Sequence, residues 1–202
     1  MVLPIVVYGD PVLRKVAQDI DANYEGLNQL IKDMFETMYK ANGLGLAAPQ
    51  VGKSIRLFIV DATPFAEKDE DNEESEEKFT AEQIEELKNF KKVFINPRLI
   101  NEDGEEWKFN EGCLSIPKIN EDVSRHQNIE IEYFDEHFKK HREKYNSVIA
   151  RVIQHEYDHI EGKLFTDRIS PFKRKMISGK LNDIANGKVH PSYRIKVYKP
   201  KK

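Results

Sequence analysis

The sequence predicts an α+β fold, in which mixed and antiparallel strands pack around one central buried helix and further helices lie toward the N- and C-terminal ends. Three observations lead there. Apolar residues recur at spacings of three and four in three separated segments. Runs rich in β-branched and aromatic residues, several alternating with period two, fill the stretch between the first and second of these. The second helical segment is apolar nearly all round, as a helix buried mid-domain must be. Strands cluster first and a buried helix follows, which suits this class better than a doubly wound parallel sheet.

The elements follow in chain order. Between Asn23 and Gly43, Leu27, Leu30, Ile31, Met34, Phe35 and Met38 form one apolar face, and Gly43 is placed to stop the helix. Strands are expected over Ile55 to Val60, Val93 to Ile100, Glu105 to Asn110, Asn128 to Phe134, and Phe138 to Tyr145. Thr80 with Gln83 fits a capping box, and Phe79 with Ile84 a hydrophobic staple, for a short helix running toward Phe90. The buried helix is expected from about Ser147 to Gly162. Ser170 and Pro171, a favoured cap and first-turn pair, open a last helix that uses Met176, Ile177, Leu181 and Ile184 and ends near Gly187.

With 202 residues, 39% hydrophobic and 33% charged, the chain suits one domain spanning 1–202. A formal net charge of -3 gives no global pull toward nucleic acid or membrane. Charge is nevertheless segregated. Residues 67–78 carry eight acidic side chains and two lysines, whereas residues 172–202 carry ten Lys or Arg and one acid, Asp183. The segment 62–92 therefore reads as a surface insertion with its own helix, and 188–202 as a basic C-terminal tail. No apolar run is long enough to span a membrane and no secretion signal is visible, so the expected location is cytoplasmic with no membrane partner. The single cysteine, Cys113, excludes an intrachain disulfide.

His155, Glu156, Tyr157, Asp158 and His159 form an H-E-x-x-H pattern inside the buried helix. At spacing four both imidazoles leave one face and can grip one ion, while Glu156 beside the first can reach a water on that ion. Two histidines and a carboxylate can also simply satisfy one another. On an otherwise apolar helix, however, burying such a set costs several kcal/mol unless the groups are paired or metal-bound. Two ligands are too few for a catalytic site, which normally has three and one open position. Glu161 is too close on the same helix to be the third. Cys113, in Glu111-Gly112-Cys113-Leu114-Ser115, is the better candidate, a soft thiolate suited to iron or zinc, with ligand distances of about 2.0 to 2.3 Å expected. Gly43 to Gly52, reading GLGLAAPQVG, lets the backbone run close to a partner, and Gln50 offers an amide donor. It lacks the Lys-Ser or Lys-Thr ending of a phosphate loop.

Together these three segments resemble peptide deformylase, whose signatures G-L-G-L-A-A-x-Q, E-G-C-L-S and Q-H-E-x-D-H stand here intact and in order at Gly43–Gln50, Glu111–Ser115 and Gln154–His159. Asp10-Pro11-Val12-Leu13-Arg14 and Ile160-Glu161-Gly162-Lys163-Leu164-Phe165 resemble the family too. The resemblance implies Cys113, His155 and His159 as metal ligands, Glu156 as general base and acid, and Gln50 with the Leu114 N–H as oxyanion donors. It implies Fe2+ as the ion, with Zn2+, Ni2+ or Co2+ as substitutes, and N-formyl-methionyl nascent peptides as substrate. Val148 and Val152, helically spaced from the histidines, are expected to line an apolar pocket for the methionine side chain. Leu44 and Phe109 join them by analogy, and the Gly45 backbone would pair with the peptide as a strand does. Where several bacterial members carry a peptide-contacting arginine, this chain has Asn120. The basic C-terminal region is expected either to contact ribosomal RNA or to be a solvated helix with a frayed basic end, in which the alternating Tyr193, Ile195, Val197 and Tyr198 could form an edge strand. A metallopeptidase and a non-enzymatic ribosome-binding module are the alternative readings, the first disfavoured by an upstream cysteine ligand and the second by intact Glu156 and Gln50.

Overall fold

The computed structural model describes residues 1–66 and 80–200. Its strands are β1 (Ile5–Val6), β2 (Gly45–Ala47), β3 (Leu57–Asp61), β4 (Lys91–Cys113), β5 (Ile116–Phe134), β6 (Lys140–Asn146) and β7 (Ile195–Lys196). Its principal helices are α1 (Leu27–Lys40), α2 (Ala81–Lys88), α3 (Ser147–Ile160) and α4 (Pro171–Ala185). Strands β2-β3-β4-β5-β6 form an antiparallel sheet in that order, leaving β2 at one edge. The short β1 and β7 pair in parallel, joining the two ends of the described chain. This is the α+β architecture expected from the sequence.

The helices begin and end where their end signals lie. Thr80 Oγ1 accepts from Gln83 N–H while Gln83 Oε1 accepts from Thr80 N–H, completing the capping box. Phe79 lies outside the described residues, as does the acidic run 67–78. Ser170 Oγ accepts from Lys173 N–H at the head of α4. In α3, eleven of fourteen residues are buried, so this helix is surrounded by the sheet and the turns around it.

The strands differ from expectation in extent. The two segments read as Val93 to Ile100 and Glu105 to Asn110 are one strand, because Gly104 at φ 79° absorbs the interruption as a bulge between Asp103 and Glu106. Strand β5 begins at Ile116, twelve residues before the expected Asn128. Its first half lacks an apolar run because one inward position holds Arg125, whose charge is met by buried acids. The flanks of the 62–92 segment are also core and not surface: Ala62, Ala66, Leu87 and Phe90 are buried with β3 and α3 residues in the main apolar cluster. A second cluster joins α1 to β3, and a third joins Ile116, Ile119 and Val123 of β5 to α4.

Candidate metal centre

Three elements meet at the site. Strand β4 ends at Cys113, which is followed by a tight turn through Leu114 and Ser115 into β5, with Cys113 and Ile116 as register partners. Helix α3 passes beneath and presents His155 and His159. Cys113 Sγ lies 3.3 Å from His159 Nε2, and donor atoms of Cys113, His155 and His159 all fall within 4.8 Å of one another. Thiolate and imidazole donors about 2.3 and 2.1 Å from one tetrahedral ion stand roughly 3.6 Å apart, close to the separation seen. The donor set therefore fits a divalent transition ion. Glu161 is not part of it: its carboxylate takes Arg56 Nη1 at 2.6 Å.

His155 Nδ1 donates to Glu111 Oε2 at 3.0 Å, which would leave Nε2 free to hold an ion. Glu111 sits two residues before Cys113 on the same face of β4, so strand alternation puts the thiol and this carboxylate side by side. It also accepts from Arg125 at 2.7 and 2.9 Å and from Arg151 at 2.9 Å. Arg125 in turn reaches Asp158 at 2.7 Å, and Asp158 accepts both Arg168 bonds at 2.6 Å. Burial disfavours the charged Glu111, but the arginine and histidine donors outweigh it and hold this carboxyl well below the usual range. Burial likewise opposes the Cys113 thiolate, yet the His159 and His155 rings hold the thiol down at about 5.

Glu156 differs from the other carboxylates. It is 3% exposed, and its Oε2 has no hydrogen-bond partner among the described residues. Burial pushes it up to about 7. A Cβ on Gly45 would lie 2.5 Å from Glu156 Oε1, so the glycine lets the edge strand run directly against this carboxylate. Gln50 is fixed at both ends of its amide. Its Oε1 accepts from Ala47 N–H at 2.8 Å, which turns Nε2 toward Cys113 Sγ at 3.6 Å and Ser115 Oγ at 3.3 Å.

A cavity of about 640 Å³ opens over these groups. Its wall includes Leu44, Gly45, Gln50, Phe109, Cys113, Leu114, Val152, His155, Glu156 and also Asn120. His159 lies 1% exposed beneath this surface. Val148 is absent from the wall; it is buried in the main core. Seven residues of helix place it about 10 Å along the axis from His155, so sharing a helix face with the histidine does not bring it to the cavity. The sequence reading assigned no role to Glu111, Arg125, Asp158 or Ser115. Strand alternation from Cys113 points to Glu111, whereas no local pattern points to Arg125.

A family model for polypeptide deformylase matches residues 2–175. A curated peptide deformylase of Flavobacterium psychrophilum is 57% identical over 202 residues, covering 100% of both chains. One from Christiangramia forsetii is 53% identical, covering 100% of this chain and 99% of that one. Among solved structures, a peptide deformylase from Legionella pneumophila superposes with a TM-score of 0.74 at 34% identity over 93% of this chain and 98% of that one. The match thus spans all three signature segments and the sheet and helix that bring them together. The chain belongs to the peptide deformylase family, and it is a metal-dependent hydrolase that removes formyl groups.

Proposed function

We propose that this chain hydrolyses the formyl amide of N-formyl-methionyl nascent peptides, with Cys113, His155 and His159 as the metal ligands and Glu156 as the group that moves the proton. The observation that carries this reading is Glu156, a buried carboxylate whose Oε2 has no hydrogen-bond partner among the described residues, held against the edge strand beside three converging donors. Cys113, His155 and His159 would hold a divalent cation, which when bound would supply Lewis acidity toward a carbonyl and toward water. Glu156 then accepts the proton of the attacking water and delivers it to the leaving amine. Gln50 Nε2 and the Leu114 N–H stabilise the oxyanion, each such donor being worth about 3 kcal/mol.

The peptide docks in extended form along β2, where the Gly45 backbone bonds it without reading its side chains, and Leu44, Phe109 and Val152 receive the methionine side chain. Val148 supports that wall from the core. The thiolate and two imidazoles suit Fe2+, with Zn2+, Ni2+ or Co2+ as substitutes. No described helix is long and apolar enough to cross a membrane, and action on nascent chains places the enzyme in the cytoplasm. Electrostatic contact with ribosomal RNA through 172–202 accompanies this reading; there Lys173 pairs with Glu121, Arg174 with Asp167 and Lys188 with Asp183, which leaves part of the basic charge locally compensated. Steep salt dependence of ribosome binding, and its loss when Lys196, Lys199, Lys201 and Lys202 are neutralised, is the check.

Glu156→Gln tests the central assignment. It should retain its metal by elemental analysis and lose turnover of formyl-Met-Ala-Ser by on the order of 10² or more. Parental turnover in that variant would overturn the assignment. Air exposure should shorten the life of the iron form relative to argon, because ferrous iron and thiolate both oxidise. A metallopeptidase reading is disfavoured by the cysteine ligand and by family membership.

A further inference from the structure

We propose that Tyr193 is a positioning residue of the active site, its hydroxyl fixing the Cys113-Leu114-Ser115 turn from the C-terminal strap. The proposal rests on the reading of the Leu114 N–H as an oxyanion donor.

Residues 187–197 do not run free of the fold. After α4 the chain turns back at Gly187, which sits at φ 71° against the Val197 side chain. It then runs along the N-terminal segment, with Ile5 N–H bonded to Arg194 O at 2.9 Å and Val7 N–H to Lys196 O at 3.2 Å. Ile195 and Val197 pack on the third apolar cluster, which also touches Cys113. This path carries Pro191, Ser192 and Tyr193 into the wall of the catalytic cavity. Tyr193 Oη donates to Leu114 O at 2.8 Å.

The turn it reaches has few internal restraints. Between Cys113 and Ile116 only Leu114 and Ser115 span the hairpin, and their outward carbonyls have no partner within it. Ser115 O is met by Tyr8 N–H at 2.8 Å, and Ser115 Oγ by Gln50 Nε2. Tyr193 meets the remaining carbonyl. The two carbonyls are thus held from opposite ends of the chain, and those ends are stitched together by β1 and β7. Holding the Leu114 carbonyl fixes one peptide plane of that residue, which limits rotation of the preceding plane that carries its N–H. Releasing it leaves the N–H free to swing away from the oxyanion position, where alignment matters most in the transition state.

Tyr193→Phe keeps the ring and removes only the donor. With formyl-Met-Ala-Ser and the metal-loaded full chain, kcat should fall about tenfold, the equivalent of one neutral hydrogen bond at the upper end of its range. KM should stay within twofold, because the extended peptide still pairs along β2. Incorporation of 3-fluorotyrosine at position 193, which retains a hydroxyl donor, should restore kcat to within twofold of the parent. A purely packing role predicts instead that phenylalanine retains parental kcat. Parental kcat in the phenylalanine variant, or equal loss with fluorotyrosine, would overturn the proposal. Glu156→Gln run alongside separates the two failures: if it is inactive while Tyr193→Phe is not, only the strap inference falls.

Discussion

Gly45→Ala is a severe test of the site because the methyl group has nowhere to go. The added Cβ would sit 2.5 Å from Glu156 Oε1, 2.7 Å from its Cγ and 2.8 Å from its Cδ. An ordinary contact needs about 3.5 Å, so the carboxylate and its stem must move by roughly 1 Å. Helix α3 cannot retreat to allow this, since Ala150, Ile153 and Ile160 on it are fully buried. Strand β2 cannot retreat either, because its three residues pair with β3 and are themselves buried. The displacement therefore falls on the Glu156 side chain. A misplacement of about 1 Å in a reacting group costs about 10²-fold in rate. The assay is kcat/KM with formyl-Met-Ala-Ser on protein of matched metal content, because the three atoms nearest the new methyl all belong to Glu156. Gly179→Ala on α4 serves as the control: nothing lies within 4 Å of its Cβ, and the change should leave the rate unaltered while raising stability by about 0.5 to 1 kcal/mol. Parental kcat/KM in Gly45→Ala would refute the claim that the edge strand presses on a carboxylate the reaction needs.

Two further outcomes are expected. Glu111→Gln should weaken metal affinity 10- to 100-fold by loosening His155, and should cost about 3 to 5 kcal/mol of stability by leaving Arg125 and Arg151 short of charge; chelator competition and urea unfolding measure the two. Glu143 is brought from the usual 4.5 to about 2: burial opposes its charge, but Lys92, Tyr133 and Tyr145 outweigh this by donating to it. Its lowered value means that it stabilises the fold above about pH 4.5 and loses that contribution as pH falls toward 2. Because the group is a third exposed, the effect should be on the order of 1 kcal/mol, seen as a gap between parent and Glu143→Gln in urea unfolding at pH 6 that closes on acidification.

Much of the site was legible from spacing. Four residues of helix place His155 and His159 together, and the need for a third donor points to the only cysteine, whose Sγ does lie within 4.8 Å of the histidine donors. Helix ends were legible because Thr80, Gln83, Ser170 and Pro171 act on their neighbours. What local pattern cannot carry is a partner supplied from far along the chain. Arg125 makes the first half of β5 look like a loop, and only the buried Glu111 and Asp158 explain its inward position. Val148 shares the histidine face yet lies too far along the helix to reach the cavity. Tyr193 alternates as an edge strand should, but nothing near it in sequence says that its hydroxyl ends at Leu114.

The parallel pairing of β1 with β7 has a consequence for the order of folding. Ile5 lies opposite Ile195, so the contact closes a loop of nearly the whole described chain. Such contacts carry the largest closure entropy and form late. During synthesis, Ile5 leaves the ribosome long before its partner exists, and the Leu114–Ser115 turn waits with it for the last strand. The sheet, the buried helix and the Cys113, His155 and His159 cluster can assemble earlier from nearer contacts. A nascent copy of this enzyme can therefore form its sheet and buried helix before residues 191–197 emerge to complete the cavity wall.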